Sequence, residues 1–334
     1  MRITIRDVAK EAGVSTMTVS RVVNNNGQVA VETRERVENA MKKLKYVVNF
    51  SAKNLVTNKT WTIGVIVPDI TNSFFASLVK AGEKICTDRG YSLMIGNTDG
   101  DLEVERRLVN VYKARMCEAI IMVAPRIEDA ELIELNEQIP LVVVDRNVDY
   151  EEIVQVYLDN TKGAQVATKH LLELGHRKIG FIMGPDLVPN SYTRRNGYLE
   201  AIKEYGVEFN PELVFHGDFI VETGVAALDY FESLVEKPTA IFCSNDLIAV
   251  GILARAHELG ISIPEDYSVV GFDNTFLSSM VNPPLTTVSY PFVEMGAKAI
   301  ILLLDSLPSD SKVQMNQNLE HKLIIRKSTR SLLC

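Results

Sequence analysis

Cysteine is scarce and unpaired in this 334-residue sequence: Cys86, Cys117, Cys243 and Cys334 show no paired spacing and no accompanying histidine cluster. That excludes a disulfide framework and a zinc site, and it suits a reduced setting. The five histidines lack HExxH spacing, no GxSxG elbow occurs, and neither a Walker loop nor GxGxxG is present. No catalytic set, metal or cofactor is therefore expected. His176, in GHRKIG ahead of an apolar run, reads as a structural loop residue rather than a base. Long apolar runs are missing too, and no charged-then-apolar segment opens the chain, so a cytosolic protein without a membrane partner is expected.

What is present is a chain with 46% hydrophobic residues, enough for one small domain and a larger core. Its net charge of -8 argues against a nucleic-acid partner until the distribution is read. Residues 1–60 hold 11 Lys and Arg against 5 Asp and Glu, a net of +6, which leaves 24 against 38, or -14, for the remainder. A basic head on an acidic body would meet DNA head first, with an affinity that falls as salt rises.

The head has its own pattern. Thr4 and Asp7 have capping-box spacing ahead of Val8, Ala9 and Ala12, and Gly13 stops that helix. Ser15 caps a second helix with Val19, Val22 and Val23 inward and Thr16, Met17, Thr18 and Arg21 outward. A third helix follows, with Thr33, Val37, Ala40, Met41 and Leu44 at helical spacing. This is the spacing of a helix-turn-helix, in which the start of the second helix meets base edges and Arg pairs with guanine. On pattern alone a solvated helical hairpin fits as well.

The runs TIRDVAKEAGVSTMTVSRVVNNN, TRERVENAMKKLKYVVN and SAKNL closely resemble the lactose-repressor (LacI/GalR) family of bacterial transcription regulators. Further motifs, IGVIVPDITNSFF, LLELGHRKIGFIMGP, PTAIFCSNDLIAVGIL, VVGFDN and PPLTTVSYP, match its effector-binding core in the same order. The resemblance implies a helix-turn-helix domain over 1–48, a hinge helix over 49–60 and a two-lobed core over 61–334. Its lobes would span about 61–160 with 292–320, and 161–290 with 321–330. It also implies operator contacts from Thr4, Ser15, Ser20, Asn24 and Lys53 beside the outward residues, and a minor-groove wedge at Leu55.

Independently of family, short Val- and Ile-rich runs alternate with helical patterns from Trp61 onward, WTIGVIVPD, YSLMIGN, AIIMVA and PLVVVD in one sheet, KIGFIMG, AIFCSND and YSVVGFD in another. Continuous apolarity predicts parallel strands covered on both faces, hence an α/β core of two doubly wound sheets. The family implies three crossings between lobes, near 159–163, 290–292 and 321, and a cleft at the carboxyl ends of the strands.

Polar and aromatic residues at strand ends are the candidate effector contacts: Asn72, Phe74 and Phe75, then Asp145 with Arg146, Asn245 and Asp273. A sugar needs aromatic plates and in-plane hydrogen-bonding groups, and this set offers both. The resemblance adds Arg194 and Phe219. The pair Asp145 and Arg146 resembles that of ribose-type binding proteins, which favours a monosaccharide. Tyr290 departs from the glutamine of many relatives and leaves ligand identity open among sugar, sugar phosphate, purine and protein co-regulator. The expected protein is a ligand-regulated repressor, homodimeric on a near-palindromic double-stranded operator, because no leucine heptad follows LIIRKSTR to build a tetramer. A sugar-binding receptor or an enzyme on the same core is the alternative of another class.

Overall fold

The computed structural model describes residues 3–23, 27–46, 59–186, 188–307 and 316–333. The chain divides into two compact units, Met1–Thr60 and Trp61–Cys334. Asn24, Lys53, Leu55 and nearly all of the expected hinge helix lie outside the described residues.

In the first unit, α1 (Ile5–Ala12), α2 (Thr16–Val23) and α3 (Val31–Lys43) enclose Val8, Ala9, Ala12, Val19, Val22, Val37 and Ala40. Gly13 ends α1 at a φ of 65°, a left-handed geometry that glycine adopts without a Cβ clash. Asp7 accepts hydrogen bonds from the Thr4 amide at 2.8 Å and hydroxyl at 2.7 Å, which holds its carboxyl below the usual range. At the next helix start, Ser15 Oγ accepts from the Thr18 amide at 3.1 Å.

The second unit begins with β1 (Thr62–Val67), β2 (Ser92–Asn97), β3 (Ala119–Val123), β4 (Leu141–Val144) and β5 (Val154–Leu158). It continues with β6 (Ile179–Met183), β7 (Val214–His216), β8 (Ala240–Cys243), β9 (Ser268–Asp273) and β10 (Thr286–Ser289). It closes with β11 (Asn316–Leu319) and β12 (Lys322–Ile324). Two sheets result, in the orders β2-β1-β3-β4-β5-β11 and β7-β6-β8-β9-β10-β12. Every neighbouring pair is parallel except β10 with β12, an antiparallel addition at one edge. The chain changes sheet after Leu158, after Ser289 and after Leu319.

Central strands β3, β4, β8 and β9 are buried along their whole length, as their unbroken apolarity dictates. β7 and β12 are three-residue edge strands too short to leave a periodic signal. β5 escapes a sequence reading because Gln155 interrupts it, yet that side chain is buried. It bonds the Val148 amide and the Val148 carbonyl, each at 2.8 Å, and so plugs a neighbouring loop. Helix Phe292–Ser306, though late in sequence, packs on helix Ser73–Asp88 of the first sheet.

Cys86, Cys117 and Cys243 are buried and free. No group of three or more metal-ligating side chains occurs among the described residues, and no described helix is long and apolar enough to cross a membrane. His176 is structural: Nδ1 pairs with Thr239 Oγ1 at 2.9 Å and Nε2 with Ser268 Oγ at 3.0 Å.

Candidate functional site

On the small unit, α2 displays Thr16, Met17 and Arg21 to solvent, while Thr18 and Ser20 are half-buried. Thr18 shares its hydroxyl with Ser15 at 2.9 Å, and the Thr4 hydroxyl is held by Asp7, so Ser15 and Thr4 serve as helix caps first. Met17 is 64% exposed, an apolar side chain with nothing in this unit to bury it. Arg21 stands one turn further along the same helix, in its last turn.

In the large unit, a cavity of about 380 Å³ lies between the carboxyl ends of the two sheets. That is near the lower end of the roughly 300–1,000 Å³ typical of small-molecule sites. Asp69, Asn72, Phe74, Phe75, Asp99, Arg126 and Asp145 line it from the first sheet's side. Asn190, Arg194, Asp218, Phe219, Asn245 and Asp273 face them from the second. Four of the lining residues have positive φ without being glycine: Asp99 at 51°, Ala124 at 46°, Asp145 at 62° and Asp273 at 111°. Each costs of order 1 kcal/mol, so backbone strain is concentrated where β2, β3, β4 and β9 end.

Arg194 anchors the second side. Its Nε donates to Asn160 Oδ1 at 2.9 Å, Nη1 donates to the Ser244 carbonyl at 2.5 Å, and Nη2 lies 3.8 Å from Asp273. Asp273 is 7% exposed, and burial pushes its carboxyl well above the ordinary range despite the arginine. Asp145 is raised in the same way, and its carbonyl accepts from Asn190 Nδ2 at 3.0 Å across the cleft. Asn72 Oδ1 caps helix Ser73–Asp88 through the Phe74 amide at 3.0 Å. Asn245 Oδ1 caps the following helix through the Ile248 amide at 2.9 Å, while Nδ2 holds the Phe219 carbonyl at 3.2 Å.

Two expected contacts are placed elsewhere. Arg146 does not line the cavity: its Nη1 donates to the Pro125 carbonyl at 2.9 Å and the Ile127 carbonyl at 2.6 Å, and Nη2 pairs with Asp129. Both residues lie just past β4, Asp145 at a left-handed φ of 62°, and their side chains diverge. Tyr290 is 2% exposed and lies beneath the floor, its phenol donating to Asp145. Phe74 joins it edge-on at 5.4 Å, so that ring is partly core and partly wall.

Arg126, Asp99 and Asn190 were not among the sequence candidates. Arg126 and Asp99 follow β3 and β2, so the strand-end rule applied to those strands would have found them. Asn190 precedes Arg194 by one helical turn on the same face. The complete lining carries five aspartates against two arginines. Two of the five, Asp145 and Asp273, are held toward their neutral form by burial.

A family model described as bacterial regulatory proteins, lacI family, matches residues 4–49, and one for a periplasmic binding protein-like domain matches 168–329. The chain is 35% identical over 330 residues to the HTH-type transcriptional repressor CytR of Escherichia coli (strain K12), covering 98% of this chain and 97% of that protein. Among solved structures it resembles a lac repressor dimer bound to operator and the anti-inducer ONPF, with a TM-score of 0.89 and 27% identity over 99% of this chain and all of that one. It also resembles the transcriptional regulator CelR in complex with cellobiose, with a TM-score of 0.73 and 30% identity over 98% of this chain and all of that one.

Proposed function

Because the chain belongs to the lacI family of DNA-binding bacterial transcription regulators, we propose that its grip on an operator is set by a neutral, polyhydroxylated small molecule, a monosaccharide in the best-fitting case, held between the two sheets. The observation that carries this reading is the lining itself. Aromatic walls at Phe74, Phe75 and Phe219 suit C–H faces, and Asp145, Asp273 and Arg194 suit hydroxyls in their plane. With five aspartates against two arginines, the lining offers more acceptors for hydroxyl groups than cations for an anionic sugar phosphate, and a purine brings fewer donors to it.

The protein acts as a repressor where the chromosome is, as a homodimer whose two α2 helices read a near-palindromic site. That its relatives are transcription regulators supports a cleft that binds its ligand without transforming it. A receptor that only captured solute would have no use for a basic helix-turn-helix.

A thermal-shift screen of the full chain tests the ligand class. A ligand at 100 times its Kd adds about 2.7 kcal/mol, and the neutral sugars are expected to give the shifts. Stabilisation by sugar phosphates alone would overturn the reading. A salt-dependent gel shift on the protein's own promoter tests the operator half.

A further inference from the structure

The connections that join the two sheets are tied to one another, and Tyr290 is at the centre of the tie. It follows β10, in the second connection. Its hydroxyl donates to Asp145 at the end of β4 and accepts from Asn160 Nδ2 of the first connection at 3.3 Å. Its amide donates to the Asp273 carbonyl at the end of β9, at 3.1 Å. In the third connection, His321 Nε2 meets the Asp159 carbonyl at 2.5 Å, next to Asn160. One buried side chain therefore touches strand ends on both sides of the cleft and the hinge between them, without reaching the cavity.

We propose that Tyr290 is the clasp of the hinge: its phenol, shared by Asp145 and Asn160, holds the two lobes together where the connections cross. Burial next to a carboxylate keeps the phenol proton in place far above neutral pH, so the donor is permanent. Asn160 also accepts from Arg194 Nε, so whatever moves Asn160 moves the guanidinium. Without the hydroxyl, one Asp145 oxygen loses a buried donor and Asn160 Nδ2 keeps only Asn190 Oδ1 and the Leu158 carbonyl, so nothing ties Asn160 to Asp145 through the ring and the arrangement of the hinge is no longer unique. This proposal holds whichever small molecule fills the cleft.

Amide hydrogen exchange on the full, ligand-free protein tests it. In Tyr290→Phe, which keeps the ring, amides of 159–163 and 290–292 are expected to exchange about tenfold faster than in the wild type, with those at the centres of β3 and β8 unchanged. Asp145→Asn retains an oxygen that accepts the phenol proton, and its hinge amides are expected to keep the wild-type rate. Wild-type exchange in Tyr290→Phe, equal acceleration in the sheet centres, or an Asp145→Asn hinge as fast as that of Tyr290→Phe would each overturn the proposal.

Discussion

The Arg194 guanidinium carbon lies 4.0 Å from the centre of the Phe272 ring. The ring supports the cation from below while its nitrogens reach sideways to Asn160, Ser244 and Asp273, a geometry that only a planar fork satisfies. Arg194→Lys keeps the charge and loses the fork. Effector affinity is expected to fall at least tenfold, about 1.4 kcal/mol, by isothermal titration against the best ligand from the screen. Wild-type affinity would place the effector elsewhere.

Arg21 carries the operator prediction. Exposed at the outer face of α2, it is expected to read a base rather than a phosphate. Arg21→Ala should cost about 1–3 kcal/mol on the specific operator and little on random DNA. An equal loss on both would reassign it to the backbone.

Gly224 and Gly251 let two helices meet. A Cβ on Gly251 would sit 2.0 Å from the Val221 carbonyl oxygen, and one on Gly224 the same distance from that of Ile248. Backbone on both sides cannot yield locally, so Gly251→Ala is expected to lower the unfolding free energy by about 2 kcal/mol in urea. A change below a few tenths would mean that the helices slide apart freely.

His176 makes stability depend on pH. Burial holds its pKa below the usual 6.5, so the unfolded chain takes up a proton that the folded protein resists, and the stabilising contribution is present above about pH 6.5 and lost as pH falls. Asp246 acts oppositely: burial lifts its carboxyl to about 6, so the folded state gains a proton first and is favoured as pH falls through that value. Comparing variants separates the two. His176→Gln should be less stable than wild type at pH 8, with the gap narrowing by pH 5.5. A gap independent of pH would remove the histidine from the account.

Local features were legible in the sequence because they are set locally. The capping residues Thr4, Asp7 and Ser15, the Gly13 stop and the apolar stripe of Val8, Ala9 and Ala12 all act within one or two turns. The central strands declared themselves by being apolar on both faces. Direction was not legible. Nothing local separates Asp145, which faces the cavity, from Arg146, which turns to the Pro125 and Ile127 carbonyls. Tyr290 had every attribute of a plate for a ligand, and only the packed fold places it under the floor with Asn160, 130 positions away.

The order of strands in the first sheet has a consequence for synthesis. Its edge strand β11 and its covering helix Phe292–Ser306 emerge from the ribosome late, after strands β6 to β10 of the second sheet have been made. The nascent first half therefore waits with Leu78 and Val79 uncovered until residue 300 and its neighbours arrive. The second sheet, whose strands β6 to β10 are contiguous, can assemble ahead of the half that precedes it.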